Sequence, residues 1–148
     1  MTFPLSHPAC CVIDTQVVLD WVLFDDPRVQ SWVRAIQNQT VRWIYSVAMR
    51  DEALRVVHYP AIAKRHDPAV SAQSVTARFA RWGQLCATPP AQRQLVCRDP
   101  FDQMFFDLAL AQRATHLLSR DRAVLQVARR ARALGLHIAP PEGAPAPI

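Results

Sequence analysis

The sequence predicts an α/β domain, a three-layer sandwich with a central parallel sheet flanked by helices. Three observations point to it. Short runs of β-forming residues alternate with amphipathic helical stretches along most of the chain. The 148 residues, 51% of them hydrophobic, are enough for one well-buried core and too few for two comfortable ones. No internal repeat is visible, so residues 1–148 read as a single domain with its core over about 11–139. A strand followed by a helix implies a parallel neighbour, because the crossover between parallel strands is supplied by a helix.

The elements follow in order. "CCVI" is a short apolar strand leading into Asp14, and "TQVVLDWVLF" spaces Val17, Val18, Trp21 and Val22 along one helical face. "PRVQSWVRAIQNQ" sets Val29, Trp32, Val33 and Ile36 at steps of three and four, a second amphipathic helix ended by Asn38 and Thr40. "VRWIYS" is rich in β-formers, and "VAMRDEALRVVHY" is helical, with Ser46 as its N-cap. In "DPAVSAQSVTARFARWGQL", Val70, Val75, Phe79 and Trp82 seat helices on the core. "ATPPAQRQLV" reads as a Pro-rich loop with a short strand, and "FDQMFFDLALAQRA" as a helix. "THLLS" is a strand, "RDRAVLQVARRARAL" a helix stopped by Gly135, and "GLHIAP" a closing strand. The Pro-rich tail, 140–148, reads as frayed. Trp21, Trp32, Trp43 and Trp82 belong to the core or to a subunit interface.

Composition bounds the function. Net charge is +5 with sixteen arginines and one lysine, Lys64, and arginine forks suit phosphate oxygens. No run approaches the ~20 apolar residues of a membrane helix, and "MTFPLSHPAC" lacks the pattern of a secretory leader. The expectation is a soluble, cytoplasmic protein with no membrane association. Cys10, Cys11, Cys86 and Cys97 show no metal-ligand spacing and read as reduced core thiols.

The acids are the informative residues. Asp14 ends the first strand and Asp121 follows "HLLS", so both point to the carboxyl rim of the sheet, where α/β folds bind ligands. Asp102 opens the helix that feeds "HLLS", with Asp99 just before it. Glu52 lies nearly two turns into a helix that starts at the same rim. At ~4 Å and an effective dielectric near 20, each like-charged pair costs on the order of 4 kcal/mol. Helix capping alone explains any one aspartate, but convergence of four acids is best explained by a bridging divalent cation, and magnesium and manganese prefer such oxygen ligands.

"VIDTQVVL", a helical Glu52 and "DPFDQMFFDLALAQRATHLLSRD" together resemble the PIN-domain family of metal-dependent ribonucleases, in particular the VapC-like group that are toxin components of bacterial toxin–antitoxin pairs. The resemblance covers roughly residues 11 to 139. It implies a parallel sheet with a central first strand, and hydrolysis of RNA phosphodiester bonds with Mg²⁺ or Mn²⁺. It places catalytic and metal-binding roles on Asp14, Glu52, Asp102 and Asp121, and a further metal-binding role on Asp99, which matches the first acid of a paired "D-P-x-D". Thr15, Ser119, Arg50 and Arg55 are candidates for substrate contact. A cognate antitoxin and a homodimer are the implied protein partners, besides RNA. The chain departs from the family at Gln16, where Asn is common, and at Ala123, where a further acid is common. Those departures support the alternative of a weak or inactive PIN-like domain that binds RNA or protein. A haloacid-dehalogenase-type phosphatase wants an acid at Gln16, and a receiver domain wants a lysine at a late strand end, where Lys64 is not. Asp20, Asp25, Asp26, Asp51, Asp67, Asp107 and Glu142 read as surface or turn groups, and the arginines of the last third as a solvated face.

Overall fold

The structure is a computed structural model that describes residues 9–148. The expected absence of a leader in the first eight residues lies outside the described residues. Five parallel strands form one sheet in the order β3-β2-β1-β4-β5, with β1 at its centre. They are β1 (Ala9–Ile13), β2 (Val41–Tyr45), β3 (Gly83–Leu85), β4 (His116–Leu118) and β5 (His137–Ala139). Helices cover both faces, as the alternation of elements requires. They are α1 (Thr15–Val22), α2 (Gln30–Gln37), α3 (Val47–Val56), α4 (Pro60–Ala63), α5 (Pro68–Trp82), α6 (Gln103–Ala111), α7 (Arg122–Leu125) and α8 (Ala128–Ala133).

Large side chains of the strands fill both layers. On one side Trp43 meets Phe79 with ring centroids 4.6 Å apart, and Trp21 at 5.3 Å. Elsewhere Trp32 stands edge-on to His116 at 4.8 Å. Buried aromatics of this size each remove roughly 150–250 Å² from water. Of the four cysteines, Cys10, Cys11 and Cys97 are buried and Cys86 is half-buried, all as free thiols. Burial pushes the Cys10 thiol up, as it does those of Cys86 and Cys97. No described helix is long and apolar enough to cross a membrane.

Several expectations are corrected. The third strand is not in "ATPPAQRQLV" but in "GQL", directly after α5, where Trp43–Tyr45 pair with Gly83–Leu85. The long C-terminal helix is two short ones, broken at Gln126 and Val127, and the second helix opens as a 3-10 turn at Pro27–Val29. Val70 is exposed, while Val75 and Phe79 are buried and Trp82 is half-buried. Ser46 does sit at the N-cap of α3, but its side chain makes no cap hydrogen bond. Gly135, at φ 84, ends α8 as expected. The tail is not frayed: it forms a 3-10 turn at Pro141–Gly143, and Trp32 Nε1 donates to the carbonyls of Pro141 and Ala144 at 3.2 and 3.0 Å.

Candidate active site

Register delivers the acids. Ile13 pairs with Leu118, so the next residues, Asp14 and Ser119, leave adjacent strands at the same rim. The Asp14 amide donates to Leu118 O at 2.9 Å, extending the ladder by one bond. The Asp14 carboxylate then accepts from Thr15 N at 2.7 Å through Oδ1 and from Ser119 Oγ at 2.6 Å through Oδ2. Ser119 Oγ also accepts from Asp121 N at 3.0 Å, so one fully buried hydroxyl positions both strand-end acids. Asp121 is the N-cap of α7, its Oδ1 taking Ala123 N at 2.7 Å.

Two further acids complete the rim. Thr15 Oγ1 donates to Glu52 Oε2 at 2.6 Å, which ties α3 to α1. Asp102 ends the 3-10 turn Pro100–Asp102 and opens α6 without capping it. Asp14, Glu52, Asp102 and Asp121 line one cavity of about 350 Å³ with Thr15, Gln16, Val56 and Arg120. A larger hollow of about 590 Å³ lies at the start of β2 and β3, lined by Arg42, Trp43, Arg81 and Trp82 among others; no acid lines it.

The electrostatics reflect this crowding. Burial pushes the Asp102 carboxyl up to about 7, and the charges of Asp14, Asp121, Asp99 and Glu52 add to that. Asp14 is pushed up to about 6, again by burial first, against the opposing hydrogen bonds from Ser119 and Thr15. Asp102 Oδ2 is buried with no hydrogen-bond partner. An unpartnered carboxylate oxygen facing other carboxylates is the electrostatic condition that a hard divalent cation relieves, and the all-oxygen donor set fits such an ion. Among the described residues no three or more His, Cys, Asp or Glu side chains are gathered as a ready-made metal cage. The donors fit the ion chemically, and closing round it requires side-chain movement.

Not every expected residue is at the cavity. Asp99 accepts from Phe101 N at 3.0 Å as the cap of its 3-10 turn and does not line the cavity, although its charge raises Asp102. Arg55 is exposed, and Arg50 stands 4.0 Å from exposed Asp51; neither lines the cavity. Thr15 and Ser119 are there, each bonded to an acid.

The structure also brings in three residues that the sequence left as surface groups. Asp20 is 5% exposed, accepting from Gln16 Nε2 at 3.0 Å and from Arg120 Nε at 2.8 Å. Arg120 reaches on to Glu142 of the tail turn. The signal for Asp20 was its place inside "VVLDWVLF", an acid interrupting an apolar run, where a charge persists only with a partner. Glu142 had no local signal.

No curated protein matches the chain by sequence. A chain in the crystal structure of VapBC2 from Rickettsia felis, bound to a DNA fragment from their promoter, is similar with TM-score 0.58. The match covers 87% of this chain and 96% of that one at 12% identity, a likeness of fold. The PIN domain family matches residues 11–123, most of the chain and all four of the acids that line the cavity. The chain belongs to the PIN-domain family.

Proposed function

We propose that this chain is a metal-dependent endoribonuclease, the toxin of a toxin–antitoxin pair acting in the cytoplasm. The observation that carries the reading is the meeting of Asp14, Glu52, Asp102 and Asp121 around one cavity, with a buried Asp102 oxygen that has no partner. PIN domains are generally nucleases, which supports the same reading.

In this proposal the four carboxylates hold one or two Mg²⁺ or Mn²⁺ ions. A bound divalent ion supplies an ionised water near neutral pH and offsets the charge that builds on the phosphate in the transition state. The chain's own residues set the geometry. Ser119 and Thr15 N fix both oxygens of Asp14, Thr15 Oγ1 holds Glu52 in reach to orient the attacking water, and Asp102 and Asp121 face them from α6 and α7. Asp99 acts through its cap and its charge. Arg50 and Arg55 lie outside the cavity, where a longer RNA passing over α3 meets them. The expected outcome is that the wild-type protein cleaves single-stranded RNA when Mn²⁺ is added, and that Asp14→Asn or Asp102→Asn abolishes cleavage in a protein that still folds. Cleavage surviving either substitution refutes the assignment.

The reading includes a cognate antitoxin and a homodimer. A small protein encoded beside this reading frame, which co-purifies and suppresses cleavage, tests the first; sedimentation of the purified chain tests the second. The non-catalytic alternative is favoured by Gln16, whose amide is spent on Asp20, and by Ala123, which puts a methyl where an acid is common. Absence of any Mn²⁺-dependent cleavage in the folded protein selects it.

A further inference from the structure

We propose that Arg120 is the residue that grips a phosphate oxygen of the RNA, aimed in advance by Asp20 and Glu142. This rests on the ribonuclease reading and names how that site holds its substrate. Arg120 stands in the chain between Ser119 and Asp121 and lines the same cavity as the four acids. No other lining residue of that cavity is a cation. A site with four carboxylates repels a polyanion, so a fixed positive group on its wall is where a phosphate can first be held.

The guanidinium is set from two sides. Nε donates to Asp20 Oδ2 at 2.8 Å, and Nη1 bonds Glu142 Oε1. Asp20 comes from α1 and Glu142 from the tail turn, so two separate parts of the fold orient one planar fork before any ligand arrives. Asp20 is itself anchored by Gln16 Nε2 at 3.0 Å. The third nitrogen, Nη2, is enclosed and has no acceptor. Simple neutralisation of the arginine does not require this arrangement, because Asp20 and Glu142 already supply two counter-charges.

The four acids of the site do not satisfy that donor. Among the described residues the Arg120 side chain bonds only Asp20 and Glu142, and none of its nitrogens bonds Asp14, Glu52, Asp102 or Asp121. Two residues that line one cavity thus each carry an enclosed polar atom with no partner, the acceptor Asp102 Oδ2 and the donor Arg120 Nη2, and these do not pair with each other. A cation answers the first. An anionic oxygen answers the second, and a phosphodiester offers two of them in the geometry an arginine fork matches. The Arg120 side chain keeps 18% of its surface open, but at atoms other than the enclosed Nη2, so in this proposal the guanidinium turns outward to present Nη2 to the phosphate.

Arg120→Lys tests this directly, since it keeps a cation within reach of Asp20 but has no counterpart to Nη2. Asp20→Asn/Arg120→Met is the second variant, removing the buried pair together so that neither charge is stranded. Each is assayed for binding a short labelled single-stranded RNA in EDTA, by anisotropy, and for KM and kcat with Mn²⁺. The expected result is weaker RNA binding and a KM raised about tenfold or more in both, with a smaller change in kcat, as loss of a hydrogen bond to a charged group implies. The double variant also shows a shallower salt dependence of binding, by roughly one phosphate contact. If Arg120→Lys fails to fold, the double variant decides. Wild-type RNA affinity and KM in the folded variants overturn the proposal, and so does a fall in kcat alone, which makes Arg120 only a prop for Ser119 and Asp121. A wild-type chain that binds RNA through Arg120 yet never cleaves it sinks the ribonuclease reading and leaves this one standing; one that binds no RNA overturns this one.

Discussion

Asp102→Asn removes a charge while preserving shape, and its effect on stability follows from the site's electrostatics. The Asp102 carboxyl titrates at about 7 in the folded chain, against about 3.9 when unfolded. Between roughly pH 4 and 7 the folded form holds a proton that the unfolded form has lost, so stability falls as pH rises through that window. Three pH units at ~1.4 kcal/mol each give a destabilisation of up to ~4 kcal/mol above pH 7. Asparagine has no proton to lose and escapes it, but buries an amide whose missing partners cost ~1 kcal/mol. In EDTA the variant is therefore more stable than wild type by ~2–3 kcal/mol at pH 8, and equal or slightly less stable at pH 4. Urea unfolding at pH 4, 6 and 8 measures the difference. On the proposed metal site, Mn²⁺ at about 100 times its Kd stabilises wild type by ~2.7 kcal/mol and the variant much less, which cancels the variant's advantage at pH 8. A stability difference that does not change with pH refutes the reasoning.

Three further substitutions probe the scaffold. Asp20→Ala strips the buried partner from Arg120 and costs ~3–5 kcal/mol by denaturant melting; a loss under about 1 kcal/mol makes that pair irrelevant to stability. Trp32→Phe deletes the donor to Pro141 and Ala144, costing ~1–2 kcal/mol, and amide exchange across residues 141–147 rises selectively. Gly83→Ala places a methyl 2.7 Å from Tyr45 Cε1 and 2.9 Å from Phe79 O, so β3 shifts at a cost of ~1–3 kcal/mol, seen as a lower thermal midpoint.

What could be read from the sequence, and what could not, has a physical basis. The β1, β2 and β4 segments carry enough consecutive β-formers to declare themselves, and Asp14 and Asp121 follow their strands closely enough for their rim to be inferred. β3 has only three residues and no period; it is a strand because Trp43–Tyr45, some forty residues earlier, pair with it. Its glycine is explained by the Tyr45 ring lying against it, a tertiary fact with no local trace. The break between α7 and α8 carries neither Gly nor Pro, and Val127 leaves helical geometry at ψ 12 without a breaker. The tail's proline content suggested fraying, yet the Trp32 indole N–H from α2, the Arg120 guanidinium and the Thr40 hydroxyl all hold it. Asp99 and Asp102 look equivalent in "DPFD", and only the turn's geometry sends one to Phe101 N and the other into the cavity.

The hydrogen bond from Ser119 to Asp14 joins residues 105 apart. The rim is therefore assembled only after β4 has been synthesised and has docked beside β1. A growing polypeptide, or a fragment ending before residue 119, lacks Asp121 and the hydroxyl that orients Asp14. Such a molecule cannot bring the four acids of the rim together.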